Sequence, residues 1–159
     1  MTAPTPTARG TPAGIPLQNS FPCKITLGTL TTVSFWEKEV QAPGYDGGDA
    51  IDTVTMFNTR YKIKAPRALI EVTPMKGKAA YDPNVLEQIK TQINVAQTIT
   101  KSWADGSTVA FYGYLKSFVP ATETGDGTQP EADFEIVATN WDPVAKTEEA
   151  PVITYVSGT

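Results

Sequence analysis

The sequence contains no histidine and only one cysteine, Cys23. The lack of histidine excludes Ser-His-Asp and Cys-His catalysis, and it removes the commonest transition-metal ligand. A single cysteine cannot close a disulfide within the chain, and without an imidazole base it is not activated as a nucleophile. We therefore expect Cys23 to be a small apolar strand residue.

Positive charge is also scarce, since 13 Lys and Arg stand against 17 Asp and Glu, for a net charge of -4. Tight nucleic-acid binding needs clustered basic side chains that neutralise phosphates, so this class of function is excluded. No apolar run approaches the roughly 18 to 20 residues that span a bilayer. The N-terminus lacks the apolar region of a signal peptide, so we expect synthesis in the cytoplasm and no membrane association.

The remaining catalytic option is a pair of carboxylates, but none of the acidic residues lies in a diagnostic motif. The segment YDGGDAID, residues 45–52, could bind calcium through its acids, yet it lacks the EF-hand spacing. No glycine-rich stretch matches a phosphate-binding loop. We therefore expect no enzyme, no cofactor and no metal site. The acidic candidates are Asp46, Asp49, Asp52, Asp82, Asp133 and Glu135.

Aromatic residues leave two interpretations open. They could form a flat platform for sugars, as in a carbohydrate-binding β-sandwich, or they could fill a core or a subunit interface. The second is more usual for aromatic side chains on strands. The residues concerned are Trp36, Trp103, Tyr112, Tyr114 and Trp141.

Proline and glycine divide the chain into three parts. Residues 1–20 are rich in proline, so they predict an extended N-terminal arm, in which Ile15 and Leu17 offer apolar contacts. Residues 21–143 form the predicted β domain. Residues 144–159 are either a C-terminal arm or a last strand.

Within the β domain, short strands are predicted between turns. Residues 23–40 indicate two strands broken at Gly28, with Ile25, Leu27, Val33 and Phe35 at period-two spacing. Residues 41–52 predict a long exposed connection. Two strands are expected on either side of Pro66, covering residues 53–65 and 67–75. Gly77 is expected to lie in a turn.

The second half of the domain has stronger local signals. Asp82 and Pro83 predict the start of a short amphipathic helix whose apolar face holds Val85 and Ile89, together with Leu86 and Ile93. Residues 95–119 predict a β-hairpin that turns at Asp105-Gly106. Residues 133–141 predict a further strand. The fold class is therefore mainly β, a sandwich or barrel-like domain with one short α-helix.

The order of these elements resembles that of the major tail tube proteins of long-tailed, siphovirus-like bacteriophages. The resemblance covers residues 23–142. It is carried by the acidic loop from Asp46 to Asp52, the segment Pro66-Arg67-Ala68-Leu69, the helix after Tyr81-Asp82-Pro83, the hairpin TITKSWADGSTVAFYGYLKSF and the closing strand ADFEIVATNWDP.

This resemblance implies a structural virion protein that polymerises as stacked hexameric rings into a tail tube for DNA delivery. DNA would pass without specific binding, and other tail proteins, such as the tape measure and the tail terminator, would be partners. The loop from Gln41 to Asp52, continuing towards Arg60, would contact the next ring, and both terminal arms would lock neighbouring subunits. The implied interface residues are Ile15, Leu17, Tyr45, Asp46, Asp49, Ile51, Asp52, Met56 and Arg60.

Three alternatives remain at this point. The first is another virion or secretion-tube subunit, such as a head decoration protein. The second is the carbohydrate-binding β-sandwich, and the third is an enzyme based on paired carboxylates.

Overall fold

A computed structural model describes residues 23–28, 36–80 and 82–156 of the chain. The protein is mainly β, with one helix in this part, α1 (Pro83–Lys90). The strands of the main sheet are β1 (Lys24–Leu27), β2 (Trp36–Gln41), β7 (Met75–Ala80), β8 (Gln97–Ser102), β9 (Thr108–Pro120), β10 (Glu131–Ala138) and β13 (Val152–Thr154). Six short strands lie outside it: β3 (Tyr45–Asp46), β4 (Ile51–Asp52), β5 (Lys64–Ala65), β6 (Glu71–Val72), β11 (Trp141–Asp142) and β12 (Thr147–Glu148).

The main sheet is antiparallel and has the order β1-β8-β9-β10-β7-β2, while β13 pairs with the beginning of β9. One face of the sheet holds the core, whose fully buried side chains include Met75, Ile99, Leu115 and Ile136. Helix α1 contributes Val85 and Ile89 to this core. Because both helix and sheet bury one apolar face only, they stabilise each other by packing those faces together.

The sheet curls so that its first and last strands approach each other. A carboxylate oxygen of Glu37, on β2, accepts a hydrogen bond from the backbone N–H of Ile25, on β1. This contact satisfies the Ile25 N–H, which lies on the edge of the sheet and would otherwise lack a partner on a neighbouring strand. Burial raises the pKa of Glu37 above its ordinary value. The two edges of the sheet are therefore bridged by one partly buried side chain.

Three local predictions for the second half are confirmed, although α1 ends at Lys90 and Ile93 lies beyond it, in an isolated bridge to Leu115. The Oδ1 atom of Asp82 caps α1 by accepting from the Val85 N–H at 2.9 Å. The hairpin β8–β9 turns where predicted, with Gly106 at a φ of 89°. In β10 the side chains of Phe134 and Ile136 are buried on one face, as their spacing predicted.

Three other predictions are wrong. Gly77 lies in the middle of β7, between Val40 on β2 and Phe134 on β10, and not in a turn. The two strands predicted over residues 53–65 and 67–75 are not formed at that length: the strands there are β5 and β6, of two residues each, and β7 begins only at Met75. The strand predicted to run to Trp141 ends at Ala138, because Asn140 adopts a left-handed φ of 52°. Trp141 then starts a small separate hairpin of β11 and β12.

Some predicted residues cannot be compared. Val33 and Phe35, and the arm residues Ile15 and Leu17, lie outside the described part of the chain. Of the first predicted strand, Ile25 and Leu27 are buried as expected. At the other end, β13 is a short strand, and its three side chains are exposed.

Candidate subunit interface

A long hairpin leaves the main sheet between β2 and β7, and residues 42–74 are called the arm below. Its strands pair with each other, β3 with β6 and β4 with β5, and these pairs are separate from the main sheet. At its base, Gly44 and Thr73 exchange two hydrogen bonds: the Thr73 N–H donates to the Gly44 carbonyl at 2.9 Å. The Gly44 N–H donates to the Thr73 hydroxyl oxygen at 2.8 Å. The arm therefore continues the β2–β7 pairing beyond the sheet.

Further hydrogen bonds define the arm along its length. The Arg67 Nε donates to the Asp49 carbonyl at 2.8 Å, and the Thr53 N–H donates to the Ile63 carbonyl at 3.0 Å. The arm turns back at residues 55–58, called the tip below. There the Thr55 N–H donates to the Asn58 side-chain oxygen at 2.7 Å. These bonds define the shape of the arm beyond its base, where Val72 is buried.

The arm carries large apolar side chains that the described residues leave exposed. Met56 and Phe57, at the tip, are 101% and 94% exposed, and Leu69 is 84% exposed. Several exposed large apolar side chains on one segment indicate an interaction site. The nine exposed large apolar residues of the arm are Tyr45, Ile51, Val54, Met56, Phe57, Tyr61, Ile63, Leu69 and Ile70.

Charge is distributed unevenly along the arm. The outgoing half carries Asp46, Asp49 and Asp52, whereas residues 53–67 contain four basic side chains and no acid. Asp52 and Lys64 are opposite each other in the β4–β5 pair. Opposite charges facing each other across two strands favour this register. The inner part of the arm thus carries charges of both signs, because Lys64 and Arg67 lie level with Asp52 and Asp49. The outer part, residues 53–63, carries two basic side chains and no acid.

The structure brings seven of the predicted interface residues together on the arm. Tyr45, Asp46, Asp49, Ile51, Asp52, Met56 and Arg60 all lie on it, and all are exposed. The resemblance did not identify Phe57, Tyr61, Ile63 or Leu69 as interface residues. Their apolar spacing resembles that of strands, so it predicted two strands on either side of Pro66. The usable signal was the run of basic residues beside them, which is unfavourable in a core.

The acids of the arm take part in local structure. Asp46 Oδ1 accepts from the Gly48 N–H at 2.8 Å, which shapes the turn at Gly47-Gly48. Within the described residues, no group of three or more metal-binding side chains comes close enough to hold an ion. Asp46 therefore acts in turn formation.

A groove lies at the opposite end of β2 and β7 from the arm. Its volume is about 470 Å³, within the range of about 300–1,000 Å³ typical of binding clefts. Trp36 stands beside it and is 61% exposed. The residues that line the groove are Trp36, Ala80, Asp82, Val85, Gln129 and Pro130.

The aromatic residues do not form one common platform. Trp36 lies level with Glu131 through the pairing of β2, β7 and β10, whereas Trp141 follows the other end of β10. The length of β10 separates these two levels by about 23 Å. Trp103 instead lies beneath Lys101, whose Nζ is 3.8 Å from the centroid of its ring. Lys101 is almost fully buried, and this burial lowers its pKa.

The outer face of the sheet carries paired charges of both signs. Glu131 is bound by Lys38 and also by Lys78, whose Nζ lies 3.8 Å from a carboxylate oxygen of Glu131. The hydrogen bond from Lys38 holds the pKa of Glu131 below its ordinary value. Lys116 pairs with Glu135 at 3.3 Å. Since these pairs are solvent-accessible, each contributes little to stability, and they make this face polar.

No known family model matches this sequence, and no curated protein is significantly similar to it. No helix in the described residues has the length and apolar character needed to cross a membrane.

Proposed function

We propose that this chain is a structural subunit that assembles with copies of itself through the arm, and that its assembled form is a phage tail tube of stacked hexameric rings. The observation that carries the proposal is the arm, with its nine exposed large apolar side chains. The element order described above supports the tube as the form of assembly. In this proposal the protein acts as a conduit for DNA delivery in the virion, with other tail proteins at the ends of the tube.

The energetics favour assembly through the whole arm. Burying one large apolar side chain contributes roughly 1.5–3 kcal/mol, so Met56 and Phe57 together contribute about 3–6 kcal/mol. Association costs an estimated 4–15 kcal/mol or more in lost freedom. The tip alone therefore meets that cost only at its lower end, and a stable contact needs the rest of the arm as well. Several of the nine are already half-buried, so together they supply at most roughly 27 kcal/mol, which is enough to meet that cost.

The preformed hydrogen bonds of the arm also favour assembly. A segment that orders only on binding loses affinity, because its conformational entropy must be removed at that moment. The bonds of Arg67 to Asp49 and of Thr53 to Ile63 hold the arm in shape beforehand. Less of the free energy gained by burying apolar side chains is then offset by the ordering of the arm, so the subunits bind more tightly.

The test is the double variant Met56→Asp/Phe57→Asp, compared with Val144→Asp. Val144 is 89% exposed and lies on the β11–β12 turn, so it matches the tip in exposure but lies outside the arm. We expect the parent protein and Val144→Asp to form tubes in electron microscopy and large particles in light scattering. The double variant is expected to fold, because both side chains are exposed, but to form no tubes.

Two results would contradict the proposal. One is a parent protein that stays monomeric at high concentration. The other is a double variant that forms tubes as readily as the parent.

A further inference from the structure

We infer that the tip of the arm on one copy binds in the Trp36 groove of the next copy, so that the subunits associate head to tail. This inference rests on the proposed role of the arm and adds the surface that receives it.

The first argument is position. Strand β2 runs from Trp36 to Gln41, and the arm leaves after Gln41, while the groove lies at Trp36. In β7 the order is reversed, from Met75 beside the arm to Ala80 beside the groove. The two features are therefore at opposite ends of the same pair of strands, about 17 Å apart along β2. Matching surfaces at opposite ends of a molecule make a head-to-tail contact, which can repeat.

The second argument is the chemistry of the two surfaces. The groove is walled by Trp36, Val85 and Pro130, and the tip presents Met56 and Phe57. A methionine sulfur packs favourably against an aromatic ring, and aromatic side chains prefer each other edge to face or offset. Trp36 can make both contacts because it is exposed beside the groove. An exposed apolar pair thus has an apolar site of suitable size to occupy.

The third argument is charge. The outer part of the arm, residues 53–63, has two basic side chains, Arg60 and Lys62, and no acid. Asp82 lines the groove, and the neighbouring loop, residues 121–130, carries Glu123 and Asp126 and no base. In that loop the Thr124 hydroxyl donates to Asp126 at 2.6 Å, which favours the ionised carboxylate. Complementary charges around an apolar contact orient the partners and speed their encounter.

The test uses two kinds of variant that are purified separately and then mixed. The tip variant is Met56→Asp/Phe57→Asp, which keeps the groove. The groove variants are Trp36→Glu and, at an exposed loop position, Gln129→Arg, and both keep the tip. If Trp36→Glu does not fold, Gln129→Arg still tests the groove. Circular dichroism establishes that each variant is folded, and light scattering measures its mass.

We expect each variant alone to be unable to elongate. An equimolar mixture of tip and groove variants should form a species of twice the starting mass, because one intact tip meets one intact groove and growth then stops. Raising the salt concentration should slow formation of this species, since it screens the charges that guide the encounter.

The other outcomes overturn the inference in distinguishable ways. If both groove variants form tubes like the parent, the groove does not receive the tip, while the proposed function stands. If each variant fails alone but the mixture does not double in mass, the contact is not head to tail. If the parent protein itself does not assemble, the proposed function fails as well.

Discussion

Gly77 offers a sharp test of how β2 packs on β7. A Cβ atom at this position would overlap the carbonyl oxygen of Glu39 and lie 2.8 Å from its carbonyl carbon. It would also lie 2.9 Å from the Cζ atom of Phe134, in the core. Real Cβ atoms do not approach other atoms so closely. Gly77→Ala therefore requires β2 to move away from β7, and the neighbouring backbone hydrogen bonds weaken with it.

The expected loss of stability follows from the cost of overpacking. Inserting a methyl group into a tightly packed site typically costs about 1–3 kcal/mol. Because the obstacle here is backbone, which cannot rotate aside, we expect the upper part of that range, about 2–3 kcal/mol. For a chain of this size, this lowers the melting temperature by about 4–12 °C. The measurement is thermal unfolding followed by circular dichroism.

Two glycines on the same chain provide the control. At Gly47 and Gly125 a Cβ atom would have no neighbour within 4 Å, and neither residue has a positive φ. Alanine at either position should leave the melting temperature within about 2 °C of the parent, since such surface changes are within about 0.5 kcal/mol. All variants are compared in the Met56→Asp/Phe57→Asp background, because assembly raises apparent stability. An unchanged melting temperature for Gly77→Ala would refute the close approach of β2 to β7.

Two further predictions concern α1 and the bridge between the sheet edges. Asp82→Ala should lower the free energy of unfolding in urea by about 1 kcal/mol, because the helix cap is lost. The control is Glu87→Ala, which removes an exposed ion pair with Lys90 and should change this free energy by less than about 0.5 kcal/mol. Equal effects of the two variants would contradict the capping role of Asp82. Burial raises the folded-state pKa of Glu37 above its ordinary value of 4.5. The protonated Glu37 side chain therefore stabilises the fold below pH 4.5, and this stabilisation is lost as the pH rises through the folded-state pKa. In Glu37→Gln the free energy of unfolding should depend less on pH over this interval, and an unchanged pH profile would show that Glu37 is not buried at the sheet edge.

The elements that could be predicted from the sequence are those whose signals are local. The Asp82-Pro83 pair starts α1 wherever the helix packs, and the positive φ of Gly106 suits a tight turn in any hairpin. The alternation of Phe134 and Ile136 matches one buried face of β10. In each case the residues that determine the structure lie within a few positions of each other.

The elements that could not be predicted depend on distant partners. Residues 53–70 have the apolar content of strands. Apolar spacing indicates that one face of a segment can be buried, but it does not identify the element that buries it. The main sheet already places β7 beside β2, so the intervening segment pairs with itself and leaves its side chains exposed. Gly77 was misjudged for a related reason. Its role comes from Glu39 and Phe134, which are far away in sequence.

A head-to-tail contact between tip and groove sets a direction of growth but not the number of subunits. If the rotation between successive copies closes after six, the contact forms the ring itself, and if it does not close, it links one layer to the next. The two cases differ in what remains when Phe57 and Met56 are replaced. Loss of a contact within the ring leaves monomers, whereas loss of a contact between layers leaves single rings. The mass of the tip variant therefore identifies which contact the arm makes.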